Sequence, residues 1–210
     1  MEVTDKAVHE LHGEAMGIDG LIIAKGERQG FEDMRLGGLS AANCTCSVWE
    51  GFTDTMDNIA EWKRMLAEND DILLQVYGVE DIRRAKQEGR VGIILGWQNT
   101  FAIESELDRL RLFRDLGVRF MQLTYNTQNL VGAGCWESKD NGLTDYGRDV
   151  VERMNELGIV IDLSHVGEQT CRDAVAHSKV PVAFTHCVPR GLLDMPRNKR
   201  DDLLISCADS

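Results

Sequence analysis

The sequence predicts a parallel α/β fold, and three observations carry that prediction. Short β-branched runs alternate with helical segments along the whole chain. Strict β/α alternation implies parallel pairing with right-handed crossovers. The stretch Gly158–His186 reads as strand, helix, strand, the sequence form of a βαβ unit. No GxGxxG or Walker motif occurs, which weighs against a nucleotide-binding doubly wound sheet. Two architectures suit this pattern: an incomplete (β/α)8 barrel with about six of its eight units, or an open doubly wound sheet.

Taken in order, the chain opens on a polar, acidic segment containing His9 and His12. Its HELH is not the HExxH zinc motif, because the histidines are three apart and the glutamate is misplaced, so a solvated helix face is expected. Gly17–Ile23 reads as the first strand, a loop rich in glycine and charge follows, and Leu39–Trp49 reads as the second. Residues 55–69 have helical spacing through Met56, Ile59, Trp62 and Leu66, with Thr53 or Asp54 as cap. A helix over Val79–Gln87 is ended by Gly89, and Val91–Gly96 forms the third strand. Ile103, Leu107, Leu110 and Phe113 mark a helix ended by Gly117, after which Val118–Tyr125 is the fourth strand. A long polar loop, Asn126–Asn141, precedes a helix over Asp145–Leu157. The last two strands are Ile159–Leu163 and Val180–Phe184, joined by a helix over Glu168–Ser178, and a short helix spans Asp201–Ala208. Residues 1–210 are expected to form one domain.

The two runs of that βαβ unit stop at Ser164-His165 and at Thr185-His186. Both histidines then stand at the C-terminal ends of adjacent parallel strands, about 4.8 Å apart. Two imidazoles there can share one metal ion at about 2.0–2.1 Å each. That edge is where ligands bind in parallel α/β folds. The competing reading is a pair of solvated histidines at strand ends.

Composition bounds the function. The chain is 43% hydrophobic and 28% charged, as in ordinary globular proteins. No run reaches the roughly 18 apolar residues of a membrane span, and the N-terminus has no signal-peptide core. A net charge of −12 argues against nucleic-acid or anionic-membrane partners. Six cysteines without a CxxC pair fit free thiols in a reducing, cytoplasmic setting. Cys44 and Cys46 face one side of a strand as core residues.

The segments LGVRFMQLTYNTQN, GLTDYGRDVVERMNELGIVIDLSHV and SKVPVAFTHC, followed by PRNKRDD, resemble the membrane (renal) dipeptidase family. These are zinc hydrolases on a (β/α)8 barrel, and the similarity is colinear from about Gly17 onward. The resemblance implies a zinc site at the barrel mouth with His165 and His186 as ligands. It implies that Arg197 binds the carboxylate of a dipeptide or similar small substrate, a task suited to a planar cationic fork. Tyr125 and Asn126 would line the pocket.

The departures from the family pattern are specific. Where the family's other zinc takes a His-x-Asp pair, Asp19-Gly20 is followed by Leu21, Ile22 and Ile23. The bridging glutamate falls at Gln98, whose amide cannot act as a base. A substrate-contacting histidine falls at Tyr125, and the aspartate of the last strand lies beyond Ser210. One zinc ion at most is therefore expected, with Gln98, Asp162, Cys135 or Glu137 as third ligand. Two open barrel edges are also expected, which a homo-oligomer would cover. A dipeptidase-like hydrolase is the first functional reading. The others are an inactive relative that binds a small ligand or partner through the same pocket, and a barrel enzyme of altered chemistry.

Overall fold

A computed structural model describes residues 5–23 and 26–210; the first four residues of the polar N-terminus lie outside it. Its elements are α1 (Asp5–Glu14), β1 (Gly17–Ile22), α2 (Arg28–Leu36), β2 (Leu39–Thr45), α3 (Phe52–Glu68), β3 (Leu73–Gln75) and α4 (Val79–Gln87). They continue with β4 (Val91–Trp97), a 3-10 turn (Phe101–Ile103), α5 (Asp108–Leu116), β5 (Val118–Gln122), α6 (Asp145–Leu157), β6 (Val160–Asp162), α7 (Glu168–His177) and α8 (Asp201–Ala208). All sheet pairings are parallel, in the order β1-β2-β4-β5-β6, with β3 beside β4. The expected parallel α/β sheet of an incomplete barrel is present.

Strand order explains where the helices go. The β2 strand covers one edge of β4 from Gly92 to Gly96, so β3 and β5 share the opposite edge, β3 at its start and β5 further along. The chain therefore steps backwards once, from β3 to β4. A right-handed crossover taken in the reverse direction puts its helix on the other face of the sheet. The packing agrees. Ile59 and Trp62 of α3 join Ala42, Ile93 and Leu95, together with Phe31, Leu110, Phe113, Val150 and Met154 from α2, α5 and α6. By contrast, Ile82 of α4 packs on Ala41, Val76 and Ile94. Neighbouring residues along a strand point to opposite faces, so Ala41/Ala42 and Ile93/Ile94 separate the two layers.

The sheet is strongly curled. A Cβ at Gly20 in β1 would lie 2.5 Å from the Thr185 carbonyl oxygen, although β1 and the segment after β6 stand at opposite ends of the strand order. Only glycine permits this approach.

Several sequence expectations change. The segment 180–184 is not a strand but a single parallel bridge between Asp162 and Ala183, held by Leu163 N–H to Ala183 O (2.8 Å) and Ala183 N–H to Ile161 O (2.9 Å). Pairing with β6 stops at this one bridge, so no ladder forms. The glycine-rich loop contains α2, which buries only Phe31. The short β3 was not expected, and β2 ends at Thr45 rather than at Trp49. The helices α4, α6 and α8 have the expected bounds. Thr144 caps α6 by accepting from Gly147 N–H at 2.9 Å, and Gly158 closes it with φ 64°.

Candidate metal centre

The Asp162–Ala183 bridge sets the register that brings the two histidines together. His165 lies three residues past Asp162 and His186 three past Ala183, so both rings leave the sheet at one height. Their Nε2 atoms are 2.9 Å apart, with ring centroids 4.9 Å apart at 51°. The juxtaposition expected from the strand–helix–strand stretch is therefore what the structure places there. Two Zn–N bonds at a tetrahedral angle would set the nitrogens about 3.3 Å apart, so a few tenths of an ångström of opening suffices.

Each ring is held from behind. His165 Nδ1 lies 2.7 Å from Asn126 Oδ1, and the Tyr125 ring stacks on His165 with centroids 4.1 Å apart at 25°. Trp49 meets Tyr125 edge-on at 5.2 Å. Asn126 sits at φ 64°, a left-handed conformation that asparagine tolerates better than most residues. The loop is pinned there by Cys135 N–H to His165 O and Trp136 N–H to Asn126 O, both 2.9 Å. Gly134 makes that fold-back possible, since a Cβ on it would lie 2.1 Å from the Asn126 carbonyl carbon. His186 Nδ1 lies 2.8 Å from Thr185 Oγ1, which in turn bonds Asp162 Oδ2 at 2.7 Å.

Two cations stand close by. The Arg197 guanidinium donates to the Ser164 carbonyl and, at 2.5 Å, to the His186 carbonyl, tying both histidine segments together. Lys199, only 2% exposed, donates to the Val166 carbonyl at 2.5 Å. Burial, then the charges of Arg197, His186 and Lys199, push the His165 pKa down to about 3. Burial also lowers that of His186, with Asp162 pulling the other way. Both rings are thus neutral near pH 7, the form in which imidazole binds a metal.

The expected third ligands do not gather here. Among the described residues no group of three or more His, Cys, Asp or Glu side chains could hold an ion. Asp162 is 2% exposed and already receives Ser164 N–H (3.0 Å), the Ser164 hydroxyl (2.5 Å), Thr185 N–H (3.2 Å) and the Thr185 hydroxyl. Gln98 donates its amide to Thr45 Oγ1 at 3.2 Å. Glu137 accepts Gln128 N–H at 2.6 Å, and Cys135 turns its thiol to Asn126 Oδ1 at 3.6 Å. Sequence spacing missed the Thr185–Asp162 support behind His186, although Thr185-His186 and Asp162-x-Ser164 were both in view. Away from this rim, His12 Nε2 lies 3.0 Å from the Gly37 carbonyl oxygen, and His9 is exposed on α1.

No helix among the described residues is long and apolar enough to cross a membrane. The family model described as "Membrane dipeptidase (Peptidase family M19)" matches residues 28–209. An uncharacterized dipeptidase of Schizosaccharomyces pombe is 33% identical over 156 residues, covering 72% of this chain and 38% of that protein. The crystal structure of an amidohydrolase from Pseudomonas aeruginosa is 50% identical, with TM-score 0.94 over 96% of this chain and 62% of that one. The probable dipeptidase PvdM from the same organism shares the fold at 23% identity, with TM-score 0.90 over 98% of this chain and 60% of that one. The chain thus spans less than two thirds of the length of these relatives. Matched over most of its length and in the order of its elements, the chain belongs to the membrane dipeptidase family.

Proposed function

We propose that this chain carries the metal-binding rim of a dipeptidase-type hydrolase that acts on a dipeptide or a similar small amide, with His165 and His186 as ligands of a single zinc ion. The observation that carries this reading is the 2.9 Å approach of two imidazole nitrogens at the C-terminal edge of a parallel sheet. A bound zinc supplies Lewis acidity and lowers the pKa of its water. The chain's own residues supply the remainder of the pocket. Arg197, with the buried charge of Lys199 behind it, favours a substrate carboxylate, while Tyr125 and Trp49 form an aromatic wall beside His165.

A two-ion centre does not fit these residues. Leu21 and Ile23 carry no ligand atoms, Ile23 is 70% exposed, and Gln98 is turned to Thr45. A second reading draws on the same facts: with no third His, Cys, Asp or Glu grouped with the two rings among the described residues, the pocket binds a small ligand without turning it over. A second copy of the chain covering the open edge beyond residues 180–184 belongs to this proposal.

The experiment is dipeptide hydrolysis by zinc-loaded protein. Turnover that vanishes in His186→Ala supports the hydrolase. Saturable dipeptide binding without turnover establishes the second reading. Neither turnover nor binding removes both.

A further inference from the structure

Satisfying both carboxylate oxygens of buried Asp162 selects one arrangement of the protons behind His186. Ser164 Oγ lies 2.5 Å from Asp162 Oδ1, and Thr185 Oγ1 lies 2.7 Å from Asp162 Oδ2. With two backbone N–H groups also directed at it, this carboxylate receives four donors and offers none. Each hydroxyl has a single proton, and each is therefore committed to Asp162. The 3.2 Å approach of the two hydroxyl oxygens then carries no proton, and Ser164 Oγ is free to accept His186 N–H at 3.1 Å. Thr185 Oγ1 can likewise only accept from His186 Nδ1, 2.8 Å away. The ring proton of His186 thus sits on Nδ1, and Nε2 is left as a bare lone pair.

His165 reaches the same state by another route, its Nδ1 proton directed at Asn126 Oδ1. Two lone pairs then face each other across 2.9 Å, an arrangement that a cation between them would relieve. We infer that Asp162, acting through the Thr185 hydroxyl, fixes the tautomer of His186 and so aims its Nε2 lone pair at His165. Asp162 and Thr185 are positioning residues, since neither touches the face where an ion would sit. The tautomer follows from the hydrogen bonds alone, and only its consequence for metal rests on the function proposed above.

Asp162→Asn tests this directly because it keeps the shape and reverses one donor. The amide oxygen can take over the three contacts of Oδ1, while its NH2 group, in the place of Oδ2, donates to Thr185 Oγ1. The Thr185 hydroxyl then turns to donate to His186 Nδ1. The ring proton moves to Nε2, where it makes a hydrogen bond to His165 Nε2 in place of the opposed lone pairs.

The measurement is the long-range proton–nitrogen spectrum of the two imidazoles in metal-free protein at neutral pH. Wild type and Thr185→Ser should both show Nδ1–H on both rings. Asp162→Asn should move His186 alone to Nε2–H, with the melting temperature of the metal-free protein retained and zinc affinity lowered about 10–100-fold. A residue with only a structural role would lower the melting temperature and leave the tautomer in place. Nε2–H on His186 in wild type, or Nδ1–H retained in Asp162→Asn, overturns the inference. Should Asp162→Asn fail to fold, Thr185→Val serves instead: it removes the acceptor, and retention of a pure Nδ1–H tautomer there overturns the inference equally. Wild-type protein with the expected tautomers but no uptake of zinc alone contradicts the proposed function and leaves this inference standing.

Discussion

Gly134→Ala is the substitution that most sharply links the loop after β5 to the histidine pair. The added Cβ would lie 2.1 Å from the Asn126 carbonyl carbon, 2.3 Å from its oxygen and 2.5 Å from Thr127 N, all backbone atoms. Ordinary contact begins near 3.4 Å, so the Asn126 peptide must withdraw by about 1.3 Å. Overpacking of this kind costs about 1–3 kcal/mol. Displacing Asn126 also breaks its 2.7 Å hydrogen bond to His165, for about 0.5–1.5 kcal/mol more. The expected loss is about 2–4 kcal/mol, a fall of roughly 5–15 °C in melting temperature for a domain of this size. Zinc affinity should fall with it, because His165 loses the acceptor that orients it. Gly158→Ala is the control: nothing lies within 4 Å of its Cβ, and only the φ of 64° opposes it, for about 1–2 kcal/mol and no change in zinc binding. Thermal unfolding followed by circular dichroism, with zinc titration, reads both. A Gly134→Ala protein that melts within about 2 °C of wild type and binds zinc as tightly would refute the reasoning.

Other expectations concern the scaffold and its charges. Burial raises Cys44, Cys46 and Cys171 from 9.0 to about 12, so the folded chain keeps protons that the unfolded chain loses above pH 9. Their contribution to stability is complete below pH 9 and is lost as the pH rises toward 12. Urea unfolding at pH 8 and pH 10 should show this loss, smaller in Cys171→Ala; equal losses in the two proteins would contradict it. Arg197→Lys cannot bridge the Ser164 and His186 carbonyls with one ammonium, and should lower stability by about 1.5–3 kcal/mol in the same assay. A difference below about 0.5 kcal/mol would show that the bridge is not holding the two segments. Thr144→Ala removes the cap of α6 and should reduce stability by about 1 kcal/mol, with zinc affinity unaffected. Altered zinc binding there would show that α6 is coupled to the rim.

The regular parts of the chain were legible because their signals are local. The helices α4, α6 and α8 show their apolar spacing and stops in sequence. The helix α2 escaped notice because RQGFEDMRL contains a glycine, has few apolar residues and buries only Phe31. At three residues, β3 is too short to alternate. Residues 180–184 have the composition of a strand, but they meet β6 at the single Asp162–Ala183 bridge, and one bridge does not make a ladder. The histidine pair could be read from two runs ending at equivalent positions. Its support could not, since the donor order from His186 through Thr185 to Asp162 depends on hydroxyl directions. Nor could sequence choose among the four candidate third ligands. In the structure Asp162, Gln98, Cys135 and Glu137 each make a hydrogen bond to another polar partner.

Zinc content of the purified chain tests the central claim most directly. After loading and dialysis, wild type should retain one zinc per chain, and His165→Ala and His186→Ala should retain none. Two ions per wild-type chain, or a full equivalent kept by either variant, would contradict a single site built on these two rings.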